Sequence, residues 1–261
     1  MNILAFDTAT EVLSVALRID PDVAPEKPAG RPHVYTEMRD AGLRHSRILM
    51  PLVGRLLADA DMQLGHVDLV ACTRGPGSFT GLRIGMATAK GLAVAIASVQ
   101  GVSEPPIVSV STMEVIAHAL PSDGSIVVPV VDGRKNRFYA AIFRSGVRLT
   151  TDLDLPAMEI MNLIAEAAAS GSAGSRVRRQ RRRQKTRQLV RVIVTGPHAD
   201  LFASRIRDPT AIVVDPAFRR GHAGSLIPLA VSAYRKHGPD APGQGPVYVR
   251  GSDAELARPK D

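Results

Sequence analysis

The order of the predicted secondary-structure elements is the feature that most constrains the fold of this chain. In the first hundred residues, apolar alternation and β-branched residues predict three consecutive strands, a helix, a fourth strand and a second helix. Those six segments are NILAF, VLSVALRI, HVYTEM, a helix from about Ser46, VDLVAC and the helix after GPGSFTG. The order β-β-β-α-β-α returns less cleanly after Ile107. Two such blocks predict two α/β lobes rather than one doubly wound sheet.

We therefore expect two RNase H-like lobes, at residues 1–104 and 105–261. The sequence shows no residue-level repeat between them, so this expectation depends on element order alone. A basic insertion at about 171–190 is predicted to interrupt the second lobe between a helix and a strand. The segment ASGSAGS that precedes it has the composition of a flexible linker.

The positive charge of the chain belongs to that insertion. The formal net charge is +8, and nine Lys or Arg residues without an acid lie between Arg176 and Arg191, which leaves −1 for the remainder. A run of this density is usually a solvated, disordered segment. The alternative is an arm that binds RNA phosphates, because neutralised phosphates release counterions. The candidate RNA contacts are Arg178, Arg179, Arg181, Arg182 and Arg183.

Cysteine usage and hydropathy limit the class of protein. Cys72 is the single cysteine, which excludes a disulfide within the chain and a zinc site built from several cysteines. Met1 leads directly into NILAFD, without a basic segment ahead of an apolar stretch. The longest uncharged apolar region, from Gly91 to about Val102, is shorter than the roughly 20 residues of a membrane helix. We expect a cytoplasmic protein that does not enter a membrane.

Three short segments have the character of phosphate-binding turns. GPGSFTG lies between a predicted strand and a helix, the arrangement that directs backbone N–H groups at an anion. It is not a Walker loop, since Leu82 and Arg83 stand where that motif has Lys and Ser or Thr. FDTAT ends the first strand, and VVDGRKNR joins two strands of the second lobe; the simpler interpretations are a turn cap and a polar hairpin tip. The candidate phosphate- or nucleotide-binding residues are Asp7, Thr8, Thr10, Gly75, Gly77, Ser78, Asp132 and Gly133.

The helix after GPGSFTG has a small residue at every fourth position. These residues are Gly81, Gly85, Ala89, Ala93 and Ala97. Such a row lets another helix approach closely. The approaching helix could belong to the same lobe or to a partner, and the spacing alone favours neither.

The sequence does not predict a catalytic or metal centre. The seven histidines form no HxxxH or HExxH pair, so no helical metal site is expected. Ser78 has no His or Asp at an informative local spacing, so the loop does not supply an activated nucleophile.

At the level of motifs the chain resembles the TsaB (YeaZ) family. The matching segments are TRGPGSFTGLRIGMATAKGLA, ILAFDTAT, RHSRILMPLV and PVYVR, and the resemblance is strongest over about residues 1–118. Members of that family are needed to make N6-threonylcarbamoyladenosine at position 37 of tRNA, and they are paralogues of the transferase TsaD. The resemblance implies two lobes of the actin/hexokinase/Hsp70 (ASKHA) type. TsaD holds a metal through an HxxxH pair, and here Thr112 and Ile116 occupy the matching positions.

The resemblance implies an accessory, dimerisation subunit that scaffolds and activates a TsaD-like catalytic subunit and is not itself an enzyme. The alternative from the residues is a nucleotide-binding phosphotransferase or ATPase of the same fold. Further expected partners are a TsaE-like ATPase, tRNA through the complex, and a second copy of the chain when it is alone. No tightly bound cofactor is expected, except for an adenine nucleotide within the assembly. The expected partner interface comprises Ser46, Ile48, Leu49, Leu52, Val53, Leu56, Gly81, Leu82, Gly85, Ala89 and Ala93.

Overall fold

The fold was taken from a computed structural model that describes residues 1–20, 32–101, 103–120, 122–170 and 190–250. The predicted insertion, apart from Val190, lies outside the described residues, as do the five candidate RNA-contacting arginines. The chain divides into two compact units, and each is described by itself. The first unit comprises Met1–Ala119 with Arg219–Asp261, and the second comprises Leu120–Phe218.

Both units contain strands and helices. The strands of the first unit are β1 (Ile3–Asp7), β2 (Val12–Ile19), β3 (His33–Asp40), β4 (Leu69–Gly75) and β5 (Ile107–Ser111). Those of the second unit are β6 (Ile126–Asp132), β7 (Phe138–Ala140), β8 (Phe143–Arg144), β9 (Val147–Arg148), β10 (Leu153–Leu155), β11 (Val192–Thr195) and β12 (Val213–Val214). The described residues also form the helices α1 (His45–Asp59), α2 (Phe79–Gln100), α3 (Thr112–His118), α4 (Ala157–Ser170), α5 (Ala199–Ala203) and α6 (Ala223–His237).

The first unit is a five-stranded sheet covered by helices on both faces. The strand order is β3-β2-β1-β4-β5, in which β1 pairs antiparallel with β2 and parallel with β4. α1 and α2 share one hydrophobic core, to which they contribute residues such as Leu52 and Leu92. α6 buries Leu226 and Ala230 in a second core, which also contains Val115 of α3. Because β1 and β4 are covered on both faces, their residues are almost continuously buried.

The second unit repeats this topology. Its sheet has the order β10-β7-β6-β11-β12, and β6 pairs antiparallel with β7 and parallel with β11. The short hairpin β8–β9 continues β7, because β8 also pairs antiparallel with β6. In both units the first strand therefore lies at the centre, with the second and third on one side and the fourth and fifth on the other. The prediction of an α/β protein with two RNase H-like sheets is confirmed.

The unit boundaries differ from the predicted boundary between residues 104 and 105. β5, which the sequence analysis did not identify, adds a fifth strand to the first sheet through parallel pairing with β4. α6 then returns to the first unit, where the side chain of Ser14 on β2 accepts hydrogen bonds from the backbone N–H groups of His222 and Ala223, both at 3.0 Å. The chain thus leaves the first unit after Ala119 and re-enters it at Arg219.

Candidate functional site

Asp7 lies at the end of β1, where its carboxyl group is sealed inside the first unit. Its side chain is only 1% exposed. Oδ1 accepts hydrogen bonds from the backbone N–H of Ala9 and from Oγ1 of Thr73 on β4, both at 2.9 Å. Oδ2 is buried without a hydrogen-bond partner among the described residues. The carboxyl group therefore holds the first turn of the chain against the fourth strand.

Burial is the largest influence on the pKa of this carboxyl group. Loss of hydration raises the pKa of Asp7 above its ordinary value, although the hydrogen bonds from Ala9 and Thr73 and the charge of His45 act in the opposite direction. His45, which the sequence analysis did not single out, is itself buried, and its Nε2 lies 2.7 Å from the carbonyl oxygen of Thr10. Asp7 and His45 thus form a buried polar centre beneath the turn.

The glycine-rich loop is filled by the chain itself. The backbone N–H of Ser78 donates to the carbonyl oxygen of Ala9 at 2.7 Å, and the side chain of Ser78 caps α2 by accepting from the N–H of Gly81. A Cβ at Gly77 would lie 2.3 Å from the carbonyl oxygen of Ala9. A Cβ at Gly81 would lie 2.1 Å from that of Thr8. Residues 8 and 9 thus occupy the space in front of the loop, where the sequence analysis placed an anion.

Two further candidate residues, Thr10 after β1 and Gly75 in the glycine-rich loop, also make structural contacts. The hydroxyl group of Thr10 accepts from the backbone N–H of Val12 at 3.2 Å and so closes a local turn. Gly75 has a φ of +111°, and a Cβ there would lie 2.5 Å from the carbonyl oxygen of Val247. The structure brings Asp7, Thr8 and the GPGS loop together and packs them against each other.

Asp132 and Gly133 form the tip of the hairpin between β6 and β7. Oδ1 of Asp132 accepts from the backbone N–H of Arg134, and the N–H of Gly133 closes the loop on the carbonyl oxygen of Arg137. Residues 134–136 all have positive φ, between 52° and 62°. This geometry agrees with the simpler interpretation, a polar hairpin tip.

The two units share a short repeat that the sequence analysis missed. Each fourth strand ends near a threonine that is followed by Gly-Pro: Thr73 precedes Gly75-Pro76, and Thr195 precedes Gly196-Pro197. Thr195 donates its hydroxyl hydrogen to the buried Asp215 at 2.7 Å, as Thr73 does to Asp7. The signal was present as TRGP and TGP, but the carboxylate partners lie on different strands in the two units.

Most of the expected interface residues are in the interior of the first unit. Nine of the eleven are buried, Ile48 is partly buried and Ser46 is exposed. The nine are Leu49, Leu52, Val53, Leu56, Gly81, Leu82, Gly85, Ala89 and Ala93. In the described chain these nine residues are covered by the first unit itself. The small-residue row serves internal packing instead, because Gly81 and Gly85 pack directly against Thr8 in the turn after β1.

A second row on α2, two positions out of phase, faces outward. All six of its members are exposed: Phe79, Arg83, Ala87, Gly91, Ala95 and Val99. Its centre is again small, and a Cβ at Gly91 would meet no atom within 4 Å. On the neighbouring α1, the residues Met50, Pro51 and Gly54 are also exposed. We call these exposed residues of α1 and α2 the α1–α2 face.

The length and composition of one described helix would allow it to cross a membrane, and this helix is α2, over Phe79–Val99. The uncharged stretch on which the expectation from sequence depended begins only after Lys90. Core helices of soluble proteins have the same length and composition, and Leu82, Met86 and Leu92 of α2 are buried.

The family of this chain is shown by a match to a protein-family model over most of its length. The family model of TsaD, described as tRNA N6-adenosine threonylcarbamoyltransferase, matches residues 39–236, which is more than half of the sequence. The chain belongs to this family.

Within the family the chain is similar to TsaB proteins. It is 32% identical to the tRNA threonylcarbamoyladenosine biosynthesis protein TsaB of Haemophilus influenzae over 57% of this chain and 56% of that protein. It is 34% identical to TsaB of Escherichia coli over 55% of each chain. The chain thus matches about half the length of these curated relatives. The solved structure of YeaZ from Pseudomonas aeruginosa superimposes with a TM-score of 0.64 at 25% identity, over 95% of this chain and 99% of that one.

At the two positions that the family resemblance relates to the metal ligands of TsaD, this chain has buried residues of the wrong chemistry. Thr112 and Ile116 of α3 are both fully buried. Isoleucine has no donor atom for a metal ion. Within the described ranges no group of three or more His, Cys, Asp or Glu side chains could hold a metal.

The two rows of α2 should respond oppositely to the same substitution. Gly81→Ala forces a Cβ against the Thr8 carbonyl and should lower the free energy of unfolding by about 2–3 kcal/mol. Gly91→Ala adds a methyl group in open space and should raise it by about 0.5–1 kcal/mol, because alanine is the better helix former. Urea denaturation of both variants measures the difference. Equal effects would contradict the assignment of one row to the interior and the other to the surface.

The buried Asp7 should make stability fall as the pH rises. Its pKa is higher in the folded than in the unfolded chain, so the folded state holds the extra proton above about pH 4 and loses that advantage as the pH rises through the folded pKa. In Asp7→Asn this component should be absent, so that the free energy of unfolding declines less between pH 4 and neutrality. Denaturation at a series of pH values tests this. A steeper decline in the variant would refute it.

Proposed function

We propose that this chain is a non-catalytic, accessory subunit in the synthesis of threonylcarbamoyladenosine on tRNA, and that it binds and activates a TsaD-like catalytic subunit. Membership of the TsaD family and the similarity to TsaB support the pathway. The observation that carries the accessory role is the filled glycine-rich loop, in which Ala9 accepts from Ser78.

The filled loop disfavours the alternative, a phosphotransferase or ATPase. A phosphate at this loop would need the N–H groups at the start of α2 and access to Asp7. The N–H of Ser78 is bonded to Ala9, the N–H of Gly81 is bonded to the Ser78 side chain, and Asp7 is buried. Phosphate binding would require residues 8 and 9 to leave the glycines against which they pack.

The α1–α2 face is the surface on which we place the catalytic subunit. A row of exposed small residues lets a second helix approach closely, as the small centre of α2 does at Ala87, Gly91 and Ala95. Residues exposed on the adjacent α1 widen this surface, and Met50 adds an apolar side chain to it. This replaces the interface that the sequence analysis placed on the buried row.

The other components of the assembly follow from the same proposal. A TsaE-like ATPase would join the complex of the two subunits, an adenine nucleotide would bind within the assembly, and tRNA would bind through the complex. Without the catalytic subunit, the α1–α2 face would pair two copies of this chain, because a face that accepts one helical pair can accept its own copy.

A leucine at Gly91 should block docking without damage to the fold. Gly91→Leu places a large side chain in the centre of the small row and should weaken binding of a TsaD-like subunit by a factor of about 10 or more. The free chain should stay at least as stable, because the position is open. Isothermal titration calorimetry with the purified catalytic subunit measures the affinity.

Ser232→Leu is the matched control, because Ser232 is exposed on α6, across the sheet from α2. Its affinity should equal that of the unchanged chain. Unchanged binding by Gly91→Leu would exclude the α1–α2 face. ATP turnover by the chain alone, lost in Asp7→Ala, would overturn the accessory role.

A further inference from the structure

A cluster of two aromatic rings and a guanidinium group lies on the surface at the start of α2. The centroids of the Phe79 and Tyr248 rings are 4.9 Å apart. Arg83 places its guanidinium carbon 3.9 Å from the centroid of the Phe79 ring and donates from Nε to the hydroxyl oxygen of Tyr248 at 3.0 Å. We call these three residues the aromatic–arginine cluster.

Tyr248 reaches this position on a C-terminal strap, residues 239–250. The strap follows α6 and is hydrogen-bonded to the rest of the first unit at several points. The N–H of Val247 donates to the carbonyl oxygen of Arg74 at 2.7 Å, and Nζ of Lys90 donates to that of Pro242 at 3.1 Å. Its position is therefore fixed by hydrogen bonds that do not involve the cluster.

The cluster is exposed although its composition is typical of a binding hot spot. Phe79 is 38% and Tyr248 is 40% exposed, and the neighbouring Val247 and Val249 are similarly exposed. The whole chain has only ten Phe and Tyr and no Trp, so two exposed rings at one point are a large share of its aromatic surface. Aromatic residues and arginine carry most of the binding energy in many protein interfaces.

The cluster is preorganised for an anionic group. The ring of Phe79 and the hydroxyl group of Tyr248 hold the guanidinium plane, which reduces the entropy lost when it binds. Among the residues that the structure describes, the two terminal nitrogens of Arg83 have no hydrogen-bond or ion-pair partner. The charged residues of α2 are Arg83 and Lys90 alone, so nothing on this helix neutralises the site.

The cluster is continuous with the α1–α2 face. Phe79 and Arg83 are the first two members of the exposed row that continues through Ala87 and Gly91. A helix that lies along the small centre of the row would reach the cluster one to two turns further along. We propose that the aromatic–arginine cluster anchors one carboxylate-bearing end of the docked partner helix, and that the C-terminal strap is therefore part of the binding surface. This inference rests on the proposed function, because it assumes docking on α2.

Two variants separate the charge from its positioning. Arg83→Met keeps most of the length of the side chain but removes the charge, and should weaken binding of the catalytic subunit about 30-fold. Tyr248→Phe keeps the ring but removes the acceptor for Nε, and should weaken binding about 3- to 10-fold. Calorimetry at two salt concentrations gives a second readout. The affinity of Arg83→Met should depend less on salt than that of the unchanged chain, since an ion pair is lost.

The control is Arg235→Met, which removes an exposed arginine from α6 on the other side of the sheet. It should leave the affinity and its salt dependence unchanged. Thermal unfolding of each free variant reports on the fold.

The possible outcomes distinguish the anchor from the docking surface. If Gly91→Leu weakens binding but Arg83→Met does not, the anchor is refuted and docking on α2 stands. If neither changes the affinity, the docking surface itself is refuted. If Arg83→Met and Tyr248→Phe lower only the stability of the free chain, the cluster serves to hold the strap against α2, and the proposed anchor is refuted. If Arg83→Met instead weakens self-association in sedimentation experiments, with the heterodimer unaffected, the anchor belongs to a homodimer and the proposal fails.

Discussion

The contact between the first turn of the chain and the glycines of α2 is the constraint on which the first unit depends. The carbonyl oxygens of Thr8 and Ala9 lie where side chains at Gly81 and Gly77 would otherwise stand. This packing fixes the distance between β1 and the start of α2, buries Asp7 and uses the N–H of Ser78. The glycine-rich loop has the sequence character of a phosphate-binding loop, but in this fold it packs the start of α2 against the first turn of the chain. The rotation of α2 about its axis follows, and with it the choice of residues that face outward.

α2 is consequently a helix with small residues on two sides. The inner row accepts the turn at Thr8, and the outer row around Gly91 is open. The inner row has a structural cost, since each glycine in a helix is less favourable than alanine by about 1 kcal/mol. Packing against the turn offsets that cost inside the unit. No such compensation exists at Gly91 in the described chain, which is the physical reason to expect a partner there.

The sequence was sufficient for most of the element order, and the strand β2 was located at its observed bounds. Hydrophobic alternation carries that information locally. It was insufficient for β5, a short strand after two prolines. This strand is defined by its parallel pairing with β4, which is a tertiary contact. The sequence was also insufficient for the interface, because two rows on α2, two positions apart, both contain small residues, and only the position of Thr8 decides which row is inside. The return of α6 to the first unit depends on Ser14, a contact across more than 200 residues.

The proposed role depends above all on the outward face of α1 and α2, on which we place the catalytic subunit. Hydrogen–deuterium exchange of the chain with and without a purified TsaD-like subunit tests it most directly. We predict slower exchange in peptides covering 79–99 and 45–59 when the partner is bound, with no change across α4 at 157–170. Protection confined to the second unit, or none in α2 at saturating partner, would contradict it.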